Sequence, residues 1–320
     1  MDMNRTGLSS KKISSNLYLR FNRDEWAKRR GNLNVTLSKN DIRKILALND
    51  KITASEIRDF YFPITRFLQL SINNNRNLYT ERNSFIGINP KKVPFIIGVT
   101  GSVAVGKSTT SRLLKTLLER INPDYNIYIV STDNFLKKNS KLQKENLMER
   151  KGFPESYETQ ELINFLVDIK SGISRTEIPV YSHLKYDILN EKQEIVDPDI
   201  LIIEGLNILQ VNSLGRQDEI YVSDFLDFSI FIDADVQYIK QWFIERFFML
   251  MDTAFREKDS YFRKYSELTR KEAIELSSSI WDNINGKNYS ENIIKTRYRS
   301  ELIIEKGKNH NIERIMMKKL

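Results

Sequence analysis

Gly101-Ser-Val-Ala-Val-Gly106-Lys107-Ser108 has the spacing G-x-x-x-x-G-K-[ST], and its flanks decide the fold. Upstream lies Pro94-Phe-Ile-Ile-Gly-Val-Thr100, a strand-length apolar run, and downstream Leu113, Leu114, Leu117, Leu118 and Ile121 recur at helical spacing on one side. A Gly-rich turn before a helix would account for the glycines alone; strand, loop, Lys-Ser pair and amphipathic helix together read as a phosphate-binding loop. Glycines at 101 and 106 let the backbone N–H groups of Ser102, Val103, Ala104 and Val105 wrap phosphate oxygens while the helix start offers its positive dipole end. Lys107 then reaches the β- and γ-phosphates and Ser108 binds Mg²⁺.

Working outward, β-branched runs recur at Asn126-Ile-Tyr-Ile-Val-Ser131, Asp199-Ile-Leu-Ile-Ile-Glu204 and Asp227-Phe-Ser-Ile-Phe-Ile-Asp233, separated by helical stretches. Such near-continuous apolar strands suit a mainly parallel sheet covered on both faces, an α/β architecture. Residues 92–235 therefore read as a nucleotide-binding sheet core, 17–91 as a helical preface and 236–320 as a helical cover with a C-terminal segment. Together these make one domain over 17–320, behind a flexible tail at 1–16.

Acidic residues at the carboxyl ends of such strands are the first candidates for chemistry. Asp133 follows one strand and suits a carboxylate that accepts the proton of an attacking hydroxyl; a turn-starting Asp before Asn134 is the bland alternative. Glu204 ends another strand and suits the metal side, against an exposed loop residue. Arg246, in Trp242-Phe-Ile-Glu-Arg246-Phe247, suits charge developing on a transferred phosphate, against a surface ion pair with Glu245 or Asp252. Nearby aromatics from Trp242 to Tyr265 read as core or as the walls of an apolar pocket.

Composition narrows the partners. The 320 residues include no cysteine, which excludes disulfides and thiolate chemistry, and only two histidines, His183 and His310. Fifty basic against forty-two acidic residues leave a net charge of +8, which favours anions; the basic residues are dispersed and form no recognised nucleic-acid motif. No run approaches the ~18 apolar residues of a membrane span. Neither nucleic acid nor a membrane is expected as a partner.

At this point the chain resembles the bacterial type I pantothenate kinases. The resemblance rests on Gly101-Ser-Val-Ala-Val-Gly-Lys-Ser-Thr109, Lys151-Gly-Phe-Pro-Glu-Ser-Tyr157, Pro179-Val-Tyr-Ser-His-Leu-Lys-Tyr-Asp187, Leu201-Ile-Ile-Glu-Gly-Leu-Asn-Ile-Leu-Gln210, Val222-Ser-Asp-Phe-Leu-Asp-Phe-Ser229 and Asp259-Ser-Tyr-Phe262. It runs from about Tyr18 to the end and lapses around Asn212 to Glu219.

The resemblance implies a P-loop kinase fold and ATP- and Mg²⁺-dependent phosphorylation of pantothenate to 4'-phosphopantothenate, the committed step toward coenzyme A. It places Asp133 against the substrate hydroxyl, Lys107 and Arg246 on the phosphates, Thr109 in the nucleotide loop, and Ser108 with Glu204 at the metal. Tyr181, Tyr186, Phe247, Phe262, Tyr265 and Asn285 match the pantothenate pocket, to which Asp133 and Arg246 also contribute. Asn49 and His310 match the pair that sandwiches adenine, although a surface histidine is the ordinary reading of His310. Lys107, Arg112, His183 and Phe247 match positions that bind the inhibitor coenzyme A. A cytoplasmic homodimer follows, with the helix beginning near Gly106 as a contact. Three positions depart from the pattern: Asn134 replaces Gly, where Asn tolerates a left-handed turn; Phe243 replaces Tyr; and Gly286 stands where an aromatic is common.

Overall fold

The computed structural model describes residues 16–33, 35–46, 52–211 and 220–319. The expected tail therefore lies outside the described residues, apart from Asn16. The apolar run before the loop forms β2 (Phe95–Gly101), buried along its whole length. It sits between two parallel neighbours, β6 (Ile200–Gly205) and β7 (Phe228–Ala234), with Ile97 beside Ile202 and Val99 beside Ile230. Beyond β6 lies parallel β3 (Ile127–Ser131). All four strands fall within a residue of the predicted runs.

Alternate residues of these strands feed two cores, as the two-residue period of a strand requires. Ile97, Val99, Ile200 and Ile202 pack with Leu113, Leu114 and Leu117 of helix α2 (Lys107–Ile121) and with Ile64 and Leu68 of helix α1 (Phe62–Ile86). Ile96, Val130, Leu201 and Ile203 pack on the other face against Leu162, Phe165 and Leu166 of helix α3 (Thr159–Lys170). The inner side of α2 is spent on this core, with Arg120 on its exposed side.

The two flanking stretches depart from a purely helical reading. The preface opens with β1 (Tyr18–Phe21), and the C-terminal segment ends in β8 (Leu302–Lys306) and β9 (Ile312–Lys318). These widen the sheet to the order β1-β9-β8-β7-β2-β6-β3, with β8 parallel to β7 and β9 antiparallel to both β8 and β1. A four-residue strand and a Leu-Ile-Ile triplet are too short to show a period, so pairing with the preformed edge of β7 is what selects strand here. Arg297 secures this edge by bridging Asp233 of β7 at 2.6 Å and Glu305 of β8 at 2.5 Å.

Within 92–235, β4 (Arg175–Ser182) and β5 (Asp187–Val196) form a separate antiparallel hairpin. The cover after β7 begins with helix α4 (Val236–Asp252), capped by Asp235, and breaks into short turns carrying Phe255, Phe262 and Tyr265. It resumes as helix α5 (Arg270–Ile280), closed at its start by a Thr269–Glu272 capping box. No helix among the described residues is long and apolar enough to cross a membrane.

Candidate active site

The site forms where β2, β3, β6 and β7 end, because parallel strands direct their carboxyl ends to one edge of the sheet. Gly101 ends β2 still paired with Ile232 of β7, so closely that a side chain on it (φ 144°) would come 2.3 Å from the Ile232 carbonyl oxygen. The loop closes with Ala104 (φ 61°) and Gly106 (φ 93°), both left-handed. Gly106 precedes α2 without a side-chain cap, so the helix's first N–H groups keep their capacity for an anion.

Lys107 folds back on its own loop, donating to the Ser102 carbonyl at 2.7 Å. Burial draws its ammonium down to about 8; Glu204 and Asp133 pull it back up, while Arg246 lowers it further. Three other residues singled out from sequence, Glu204, Asp133 and Arg246, thus act electrostatically on Lys107. Nearby, Glu245 accepts from Gln241 at 2.8 Å and Asp252 pairs with Arg256 at 3.3 Å.

Ser108 Oγ donates to Glu204 Oε1 at 2.8 Å, and the buried Oε2 of Glu204 makes no hydrogen bond to the described residues. An oxygen-only pair with one unsatisfied carboxylate oxygen fits Mg²⁺, which takes few protein ligands and completes its shell with phosphates and water. No cluster of three or more acidic or histidine side chains competes for a metal among the described residues.

Asp133 sits in the turn after β3, where its N–H donates to Ser131 Oγ and its Oδ1 accepts from the Tyr157 hydroxyl at 3.4 Å. Burial, then the Asp133 charge, hold the Tyr157 hydroxyl far above its ordinary value, so it stays a donor. Asn134, in place of the family's Gly, does not use the left-handed conformation it tolerates; its Oδ1 accepts the Tyr181 N–H at 3.0 Å, pinning β4 beside Asp133.

The hairpin meets the cover through rings. Tyr186 lies 6.4 Å from Tyr181 and 4.8 Å from Phe262, which stacks on Tyr265 at 5.8 Å; Tyr265 in turn faces Phe247 at 6.1 Å. His183 meets Tyr181 edge-on. Five of the six pocket residues and one inhibitor-site histidine are thereby linked by a chain of aromatic contacts. Asn285 ends the π-helical turn Trp281–Asn285. Three residues on, Asn288 donates to the Gly152 carbonyl at 2.8 Å. Phe243 packs on Trp281 at 5.8 Å, and a side chain on Gly286 would approach the Trp281 ring nitrogen to 2.9 Å, so an aromatic at 286 would displace Trp281.

Sequence reasoning missed Lys151. Its ammonium is buried, donates to Asn139 Oδ1 and the Tyr186 carbonyl, lies 3.8 Å over the Tyr186 ring and feels Asp187 and Asp133; burial lowers it to about 8. The signal was a lysine opening the quoted Lys-Gly-Phe-Pro block. At the adenine end Asn49 lies outside the described residues. His310 is buried, not a surface residue, adopts φ 64° and stacks on Trp242 at 4.1 Å. Arg112 donates to the Ile45 carbonyl at 2.8 Å, tying α2 to the preface.

Residues 96–249 match the Phosphoribulokinase / Uridine kinase family. A pantothenate kinase from Brevibacillus brevis is 45% identical over 308 residues, covering 95% of this chain and 96% of that protein. One from Haemophilus influenzae is 44% identical, covering 94% and 97%. One from Pasteurella multocida is 42% identical over the full length of both chains. Among solved structures, D-glycerate 3-kinase from Cryptococcus neoformans superimposes with a TM-score of 0.54 at 16% identity over 78% of this chain and 97% of that one, a likeness of fold. With that identity to the three pantothenate kinases over nearly the whole of each chain, this chain belongs to the pantothenate kinase family.

Proposed function

We infer that this protein transfers the γ-phosphoryl group of ATP to the primary hydroxyl of pantothenate, giving 4'-phosphopantothenate for coenzyme A synthesis. The observation that supports this reading is the loop itself: Lys107 folded onto the Ser102 carbonyl and Ser108 bonded to Glu204, with Glu204, Asp133 and Arg246 each acting on the Lys107 charge. Asp133 accepts the hydroxyl proton and orients the oxygen in line with the γ-phosphorus, while Tyr157 holds the carboxylate in place. Lys107 and Arg246 stabilise charge on the equatorial oxygens, so no phosphoenzyme is needed. Ser108 and Glu204 would hold Mg²⁺, which when bound offsets charge between the β- and γ-phosphates. Tyr181, Tyr186 and Asn285 supply polar groups for the amide and carboxylate of pantothenate, and Phe247, Phe262 and Tyr265 cover its carbon chain.

Adenine is assigned to His310, backed by Trp242, with Asn49 opposite. Coenzyme A is assigned as an inhibitor competing with ATP, its phosphates near Lys107 and Arg112 and its thiol end between His183 and Phe247. A homodimer is part of the same reading, with the helix beginning near Gly106 as its contact. A cytoplasmic location agrees with these ligands. ADP release measured in parallel with pantothenate, uridine and ribulose 5-phosphate tests the activity: turnover with pantothenate alone is expected, and turnover with uridine instead would overturn it.

A further inference from the structure

The carbonyl of Val105, in the middle of the phosphate loop, accepts a hydrogen bond at 2.9 Å from Lys306, 201 positions away in the chain. Lys306 ends β8 and is only 7% exposed, and Val105 is fully buried. An ammonium is rarely kept so far from water unless its charge is used or matched. The facing carboxylate is Glu56, which feels the Lys306 charge and accepts the Ile312 N–H at 2.7 Å. Every peptide described is trans, so the C=O and N–H of each point to opposite sides. With the Val105 carbonyl turned back to Lys306, the Gly106 N–H is turned the other way, and it lies at the uncapped start of α2 in sequence.

We propose that Lys306 is a positioning residue for the triphosphate: it locks the Val105–Gly106 peptide so that the Gly106 N–H faces a phosphate oxygen, and it places a buried positive charge behind the loop. Glu56 holds that charge in register and, through Ile312, fixes the strand that follows His310. This inference rests on the loop being the phosphate cradle, and the test separates the two ideas. Inorganic tripolyphosphate and ATP are each titrated against a fluorescent ATP analogue on the wild type and on Lys306→Met.

The hydrogen bond involves a charged group, so both ligands should weaken on Lys306→Met by a similar factor of about ten to a hundred, with the KM for pantothenate within about twofold of wild type. Lys306→Arg, which keeps donor and charge, should recover both. Unchanged tripolyphosphate affinity in a folded Lys306→Met would overturn the proposal, as would loss confined to ATP, which would move the effect to the adenine end. Should Lys306→Met fail to fold, Lys306→Gln keeps a donor without the charge; it is expected to weaken both ligands, and wild-type affinity in that variant overturns the proposal as well. A wild-type protein that binds ATP but not tripolyphosphate would instead sink the cradle itself.

Discussion

The sheet core and the aromatic cover are both rich in large apolar side chains, yet they use them differently. In the core, Ile97, Val99, Ile202 and Leu117 have no exposed surface, and polar side chains of the site gather where the strands stop. In the cover, Phe247, Met251, Phe255 and Ala273 form a small separate cluster whose neighbours Phe262 and Tyr265 are only partly buried, while Tyr261 is 46% exposed. Close packing makes the first region a rigid frame that fixes charges relative to one another, as transition-state stabilisation demands. The second leaves Phe262 and Tyr265 partly exposed, where the proposed substrate's carbon chain would pack. The comparison assigns rate to the frame and substrate fit to the cover, and substitutions can break that division.

The largest effect belongs to Asp133→Ala, expected to lower kcat by about a thousandfold while ATP affinity stays near wild type. Near-normal turnover in a single-turnover assay would remove Asp133 from the mechanism and blur the division. Next comes a paired measurement. Leu117→Ala in the core should cost about 2–5 kcal/mol of stability by denaturant unfolding. Phe262→Ala should cost clearly less stability but raise the pantothenate KM roughly tenfold, consistent with one ring's worth of buried apolar surface. Equal stability losses with unchanged KM would make the cover ordinary core.

The frame also predicts a pH signature. Lys107 and Lys151 are brought down to about 8 by burial, so both are cationic below that pH and neutral above it. The kcat/KM for ATP should therefore fall as pH rises through about 8, whereas the kcat limb should lie higher because a bound triphosphate favours the charged amines. Stability runs the other way: these two groups lose protons earlier folded than unfolded, so between about 8 and 10.5 their contribution to stability rises with pH. A kcat/KM flat to pH 9 would show that neither amine serves the phosphates. The smallest effect is expected for Asn134→Gly, which removes the acceptor for the Tyr181 N–H. A few-fold rise in pantothenate KM with kcat nearly unchanged would tie β4 to the cover's function, and wild-type kinetics would sever that link.

The frame was legible from sequence because its signals are local. A β-branched run, a glycine at each end of the loop and leucines at helical spacing each constrain neighbours a few residues apart, and Lys107, Ser108 and Glu204 follow from them. Asp133 and Glu204 stood out as acids at strand ends, and Arg246 as a cation amid aromatics. What escaped is non-local. Lys151 is one lysine among many until Tyr186 and Asn139 enclose it. His310 looks like a surface residue until Trp242 covers it. Asn134 shows its tolerance of left-handed backbone in sequence, but not the Tyr181 N–H, 47 residues away, that its side chain accepts.

By itself, then, the sequence determined the phosphate loop, the parallel strands on either side and, through resemblance, the family. Those properties are written in short-range periodicity and in residue types whose backbone freedom or charge is needed where they stand. The tertiary structure alone decided that β1, β8 and β9 extend the sheet, that the hairpin meets the cover through Tyr186 and Phe262, and that Lys306 reaches Val105. Each of these joins segments far apart in the chain, and the free energy that selects them comes from burial and pairing that exist only once the partner segment is in place.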